Sequence, residues 1–117
     1  MLRKAAALAV VFAATPYAAF AHAYLAQSAP SADASVSAPV GVSLTFSQTL
    51  EKNFSNVEVH DAGGHRVDDG KPGPDGGPTA LAIGLPKLPP GRYQVIWHAT
   101  SVDTHRTEGN FYFTIVP

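Results

Sequence analysis

Apolar and polar residues alternate through most of this chain. Val40, Val42, Leu44 and Phe46 are separated by Gly41, Ser43 and Thr45. The same two-residue period recurs at Val57 and Val59, at Leu81, Ile83 and Leu85, at Tyr93, Val95, Trp97 and Ala99, and at Phe111, Phe113 and Ile115. Successive side chains of a strand point to opposite faces, so each run predicts a strand with one buried face. The β-branched and aromatic content of the runs supports the same reading. An opening strand is expected near Ala23–Gln27. Ser28-Ala29-Pro30, Ala62-Gly63-Gly64 and Leu88-Pro89-Pro90-Gly91 are turn signals, and the Gly/Pro/Asp-rich stretch 68–78 is a loop. Residues 48–53 have room for one helical turn; no segment carries a helical stripe, a heptad or an internal repeat. The pattern predicts an all-β domain, an antiparallel sandwich or barrel with Greek-key connections. Phe46, Phe54, Tyr93, Trp97, Phe111 and Phe113 are expected to fill much of its core.

The N-terminus has a different pattern. Leu2, Arg3 and Lys4 give a short positive start, residues 5–14 are uninterruptedly apolar, and Ala19-Phe20-Ala21 has the small-x-small form that signal peptidase cuts after. This is a secretory signal peptide of bacterial Sec type, residues 1–21, ahead of a mature domain, residues 22–117. The destination is the periplasm or the exterior. The apolar run is too short to span a bilayer and no later segment could, so no membrane insertion is expected after cleavage.

Composition removes several classes of function. The chain has 8 Lys+Arg against 9 Asp+Glu, and Arg3 and Lys4 leave with the signal. No basic patch remains to neutralise phosphates, which argues against nucleic acid as a partner. The chain has no cysteine. Disulfides, thiolate metal sites, cysteine nucleophiles and iron–sulfur clusters are therefore excluded. No Ser-His-Asp order, phosphate loop or pair of glutamates points to an enzyme.

What remains is a set of nitrogen and oxygen donors. Cleavage after Ala21 makes His22 the first residue, with a free α-amine beside its own imidazole. Those two nitrogens can close one chelate ring on a metal ion. Ser101-Val102-Asp103-Thr104-His105 is the second feature. Read as extended backbone, it sends Asp103 and His105 to the same face. With His22 they make three nitrogens and one oxygen, a set suited to tetragonal Cu(II), which the Irving–Williams order also favours. Neither motif is specific alone; their joint occurrence in an exported, cysteine-free β-domain points to metal. Ser101 and Thr104 are expected to hydrogen-bond Asp103 in support. His98 alternates away from Trp97 and reads as a surface histidine, while His60 and His65 flank a turn and read as solvated, as do Glu51 and Glu58.

The sequence resembles the CopC-type periplasmic copper-resistance family. The carrying segments are His22-Ala23-Tyr24-Leu25 with Ser28 and Pro30, Leu44-Thr45-Phe46-Ser47, Pro90 to Trp97, Ser101 to His105, and Gly109 to Phe113. The resemblance implies a Greek-key, cupredoxin-like β-barrel or sandwich of about seven or eight strands. It implies one Cu(II) per chain, held at one end by His22, Asp103 and His105. It further implies a monomeric, non-enzymatic protein that buffers or carries copper in the periplasm, with an inner-membrane CopD-like transporter as the implied partner. Two departures stand out. Some members add a Met-rich Cu(I) site, whereas the one methionine here is Met1. Many have a glutamate after the Phe-Ser of the early strand, where this chain has Gln48, whose neutral amide is suited to tuning the site through hydrogen bonds. Two other functions compete with this one: a copper-dependent oxidase of lytic polysaccharide monooxygenase type, and a metal-free Ig-like interaction module.

Overall fold

A computed structural model describes residues 23–74 and 76–117. The expected signal peptide, residues 1–21, and His22 lie outside the described residues, as does Asp75. Seven strands follow in chain order: β1 Leu25–Ala29, β2 Ser35–Ser37, β3 Gly41–Phe46, β4 Asn56–His60, β5 Ala80–Gly84, β6 Gly91–Thr100 and β7 Arg106–Val116. A short 3₁₀ turn, Lys52–Phe54, precedes β4. Three strands form one sheet in the order β1-β3-β5, and four form the other in the order β2-β7-β6-β4. The architecture is the sandwich, with the chain crossing between sheets after each of β1 to β5 and only β6 and β7 joined as a hairpin within one sheet.

The alternation becomes the core. Val42, Leu44 and Phe46 of β3 face Val57, Val59, Tyr93, Val95, Trp97, Phe111, Phe113 and Ile115 of the opposite sheet within one buried cluster. Each fully buried aliphatic or aromatic side chain contributes about 1.5–3 kcal/mol relative to exposure. Phe46 meets Trp97 edge-on, ring centres 5.1 Å apart and planes at 72°, and Tyr93 stacks on Phe113 at 5.8 Å. The Tyr93 hydroxyl donates to the Pro89 carbonyl at 2.6 Å, so this buried phenol keeps a partner.

Several expectations need correction. Phe54 is not a core residue; it is 67% exposed, on a 3₁₀ turn with no buried side chain. Val40 is 87% exposed, because β3 begins one residue later and its alternation is not imposed on the preceding loop. β1 starts at Leu25 and runs on to Ala29, two residues into the expected turn, and ends at a cis Ala29–Pro30 bond. β2 was not expected: Val36 alone between two serines carries no period, and the strand exists by pairing parallel to β7 from Ser35↔Thr114 to Ser37↔Val116. β7 starts at Arg106, five residues before its apolar alternation begins. That polar half is drawn into the sheet by the long β6 ladder, from Gly91↔Ile115 to Thr100↔Arg106.

The ladder also explains Gly109. It lies opposite Trp97, and a Cβ there would sit 2.5 Å from Trp97 Cζ2. The indole packs where a side chain would otherwise be.

Candidate metal site

The turn between β6 and β7 carries Asp103 and His105. Its backbone is not the extended segment expected from the sequence. Ser101 N–H donates to the His105 carbonyl at 2.9 Å, and Thr104 N–H donates to the Ser101 carbonyl at 2.8 Å. Thr104 closes the turn in the left-handed region, at φ 74°. The two predicted ligands nevertheless come together: His105 Nδ1 lies 3.1 Å from Asp103 Oδ2. A tight turn, not strand alternation, produces the juxtaposition.

Ser101 supports the pair as expected. It is 1% exposed, and its hydroxyl donates to Asp103 Oδ1. The same hydroxyl lies 3.3 Å from the His105 carbonyl. The Ser101 hydroxyl has the largest effect on the Asp103 carboxyl; burial opposes it, but with the His105 ring and N–H added the carboxyl is held below the usual carboxylate range. Asp103 is therefore an anion at neutral pH. When neutral His105 donates Nδ1–H to that anion, its Nε2 is the lone-pair nitrogen, the arrangement in which a carboxylate orients a metal-binding imidazole. Thr104, expected to hydrogen-bond Asp103, instead gives its backbone N–H to the Ser101 carbonyl, and its side chain is exposed.

Two further segments meet this turn. Val102 N–H donates to the Thr49 carbonyl at 3.1 Å, and Leu50 and Ser101 form a β-bridge. Ser47, two residues before Thr49, exchanges hydrogen bonds with Tyr24: Tyr24 N–H to Ser47 Oγ at 2.9 Å, and Ser47 N–H to the Tyr24 carbonyl at 2.8 Å. Half-buried Gln48 thus sits in the chain between the residue that ties down Tyr24 and the residue that ties down the turn. Ala23 is fully buried, and its carbonyl accepts the Thr107 hydroxyl at 2.9 Å. The chain directly after His22 is therefore fastened two residues along β7 from His105.

The other histidines are engaged elsewhere. His98 lies on the outer face of its sheet, with Nε2 3.2 Å from Glu108 Oε2 and Nδ1 3.3 Å from Asn56 Oδ1. His60 pairs with Glu58 at 2.9 Å, and Glu58 also receives Arg66 at 3.0 Å. Glu58 is thus an ion-pair partner rather than a solvated carboxylate. Exposed His65 lies 3.4 Å from Asp61 in the Ala62–Gly64 turn. Among the described residues no three His, Cys, Asp or Glu side chains converge as a metal cage. The described turn supplies one imidazole and one carboxylate, a donor set of borderline nitrogen and hard oxygen that suits Cu(II) over Cu(I).

A CopC domain family model matches residues 25–116. This chain belongs to the CopC family. It is 35% identical to copper resistance protein C of Escherichia coli over 108 residues, 85% of either chain. Copper transport protein CutJ of Bacillus subtilis is 33% identical across 86% of this chain, which spans 19% of that longer protein. Among solved structures, CopC from Methylosinus trichosporium OB3b superposes with a TM-score of 0.75 at 34% identity, covering 82% of this chain and 95% of that one. PcoC, a methionine-rich copper resistance protein from Escherichia coli, gives 0.73 at 36% identity, covering 82% and 100%. Copper resistance protein C and CutJ are copper resistance and copper transport proteins, not enzymes, which sets the oxidase reading aside for this chain.

Proposed function

We propose that this CopC-family chain is a periplasmic Cu(II)-binding protein that buffers or carries one ion per chain as a monomer. Export uses residues 1–21 as a cleaved signal. His22 supplies its α-amine and imidazole, His105 a second imidazole and Asp103 the carboxylate. Ser101, Thr104 and Gln48 support that set from around the turn. The observation that carries this reading is the Asp103–His105 pair at 3.1 Å on a turn beside the buried start of the described chain at Ala23. The turn provides too few donors to hold an ion by itself, and the residue preceding Ala23 is a histidine.

The chemistry favours holding over reacting. Nitrogen and carboxylate donors around the plane of a tetragonal ion bind Cu(II) strongly and leave Cu(I) poorly served. PcoC is described as methionine-rich, while the one methionine of this chain is Met1, which leaves with the signal. The cargo is therefore Cu(II) alone. CutJ, a copper transport protein, contains a segment like this domain within a much longer chain. This supports delivery to, or receipt from, an inner-membrane transporter of CopD type.

Cu(II) titration of the chain beginning at His22 tests the reading. His105→Ala should weaken binding by about a hundredfold and Asp103→Ala by roughly tenfold. His98→Ala should leave it unchanged. Loss of binding in the His98 variant with retention in the His105 variant would move the site to the outer face of the sheet and overturn the assignment.

A further inference from the structure

We propose that Thr107 and Ser47 are positioning residues for copper binding: together they clamp the Ala23–Tyr24 backbone and so hold the His22 amine within reach of Asp103 and His105. This rests on the amine–imidazole reading given above and adds the part of the fold that makes such a chelate possible.

A first residue normally frays, because nothing precedes it and few contacts hold it. An amine and a ring that must be ordered at the moment of binding give weaker affinity than the same groups held in advance. Here the following two residues are fixed before β1 begins at Leu25. The Thr107 hydroxyl donates to the carbonyl of fully buried Ala23 at 2.9 Å, across 84 residues of sequence. Ser47 takes the Tyr24 N–H on its hydroxyl and returns its own N–H to the Tyr24 carbonyl, at 2.9 and 2.8 Å. Two of these three bonds depend on a side-chain hydroxyl.

The placement suits the role. Thr107 lies two residues after His105, at the near end of β7. Fixing the Ala23 carbonyl to Thr107 therefore ties the first described residue, one residue after the proposed amine ligand, to the strand that leaves the turn. Thr107 faces small, buried Ala99 across the ladder, so the hydroxyl and not bulk is what this position presents to the N-terminal strand.

The test compares two backgrounds, the chain beginning at His22 and the same chain with one extra residue before it. Each is made unsubstituted and as Thr107→Val, Thr107→Ser and Ser47→Ala, and titrated with Cu(II). In the His22 chain, Thr107→Val and Ser47→Ala should each weaken binding about fivefold, and Thr107→Ser should retain it. In the extended chain the same substitutions should change nothing. Without metal, the Tyr24 amide should exchange hydrogen faster in Ser47→Ala than in the unsubstituted chain. Unchanged Cu(II) affinity in both substituted His22 chains would overturn the clamp, as would equal losses in the two backgrounds, which would mark a general effect on folding. Equal Cu(II) binding by the two unsubstituted chains would instead show that the amine is no ligand, and both readings would fall at that step.

Discussion

Asp68→Asn is the substitution whose consequence the structure defines most fully. The Asp68 side chain has 0% exposure. Its Oδ2 accepts the Val59 N–H at 2.9 Å and the Arg66 Nε–H at 3.0 Å, while Oδ1 accepts the Gly70 N–H at 3.0 Å. An amide offers one oxygen, so either rotamer of the introduced side chain turns its NH₂ against the N–H of Val59 or of Gly70. The substitution also removes the charge facing Arg66, which keeps Glu58 at 3.0 Å. Leaving a buried donor unpaired and breaking a charge-assisted bond costs about 3 kcal/mol together. For a domain of this size that is a fall in Tm of roughly 12–24 °C. The pH dependence has a definite sign. Burial pushes the Asp68 carboxyl up, but Arg66 and the N–H groups of Val59 and Gly70 outweigh it, and the folded pKa lies below its ordinary value of 3.8. The carboxylate's contribution is therefore fully present above the unfolded pKa and is lost as pH falls through the folded one. Urea unfolding of both proteins at neutral pH and near pH 3 should show a gap that narrows on acidification. A gap below about 0.5 kcal/mol at neutral pH, or one that does not narrow, would refute the reasoning.

Gly109→Ala should cost about 1–3 kcal/mol, because its Cβ meets Trp97 Cζ2 at 2.5 Å and the indole is braced edge-on against Phe46; a urea midpoint equal to the parent's would contradict this. Cu(II) affinity should fall steadily between about pH 8 and pH 5.5, where protons compete for the amine and both imidazoles. Asp103, held below the usual carboxylate range, stays ionised there and adds nothing to that slope, so a flat profile would be incompatible with a nitrogen-rich set. Without Met1 the chain has neither thioether nor thiol, so Cu(I) should pass entirely to a competing chelator, and retention of Cu(I) would contradict the Cu(II)-only reading.

The sheets were legible because their buried faces obey a two-residue period, which pairing then only has to register. Val42 through Phe46 and Tyr93 through Ala99 lie as that period requires. Where structure depends on a partner rather than on its own pattern, the sequence was silent. Ser35–Ser37 is a strand because β7 pairs with it, and Arg106–Asn110 because β6 does. Phe54 was misjudged because an aromatic residue carries no information on the face a short turn will present. At the candidate site, chemistry drew attention to Asp103 and His105 and the two do lie together, but the geometry that joins them is a left-handed turn at Thr104, which the threonine side chain does not advertise. Thr107 and Ser47, which hydrogen-bond Ala23 and Tyr24, were not singled out from the sequence. A signal existed: a hydroxyl two residues past His105, and another directly after Phe46 at the end of a core strand. Only the sandwich shows that both meet the first described residues.

The amine of His22 is the central claim, and Cu(II) titration followed by electron paramagnetic resonance reaches it directly. One protein begins at His22; the other carries a single additional residue before it. The account predicts tight one-to-one binding with a nitrogen-rich tetragonal spectrum in the first and a weaker site with fewer nitrogens in the second. Equal affinities and identical spectra would remove the amine from the site and contradict the account.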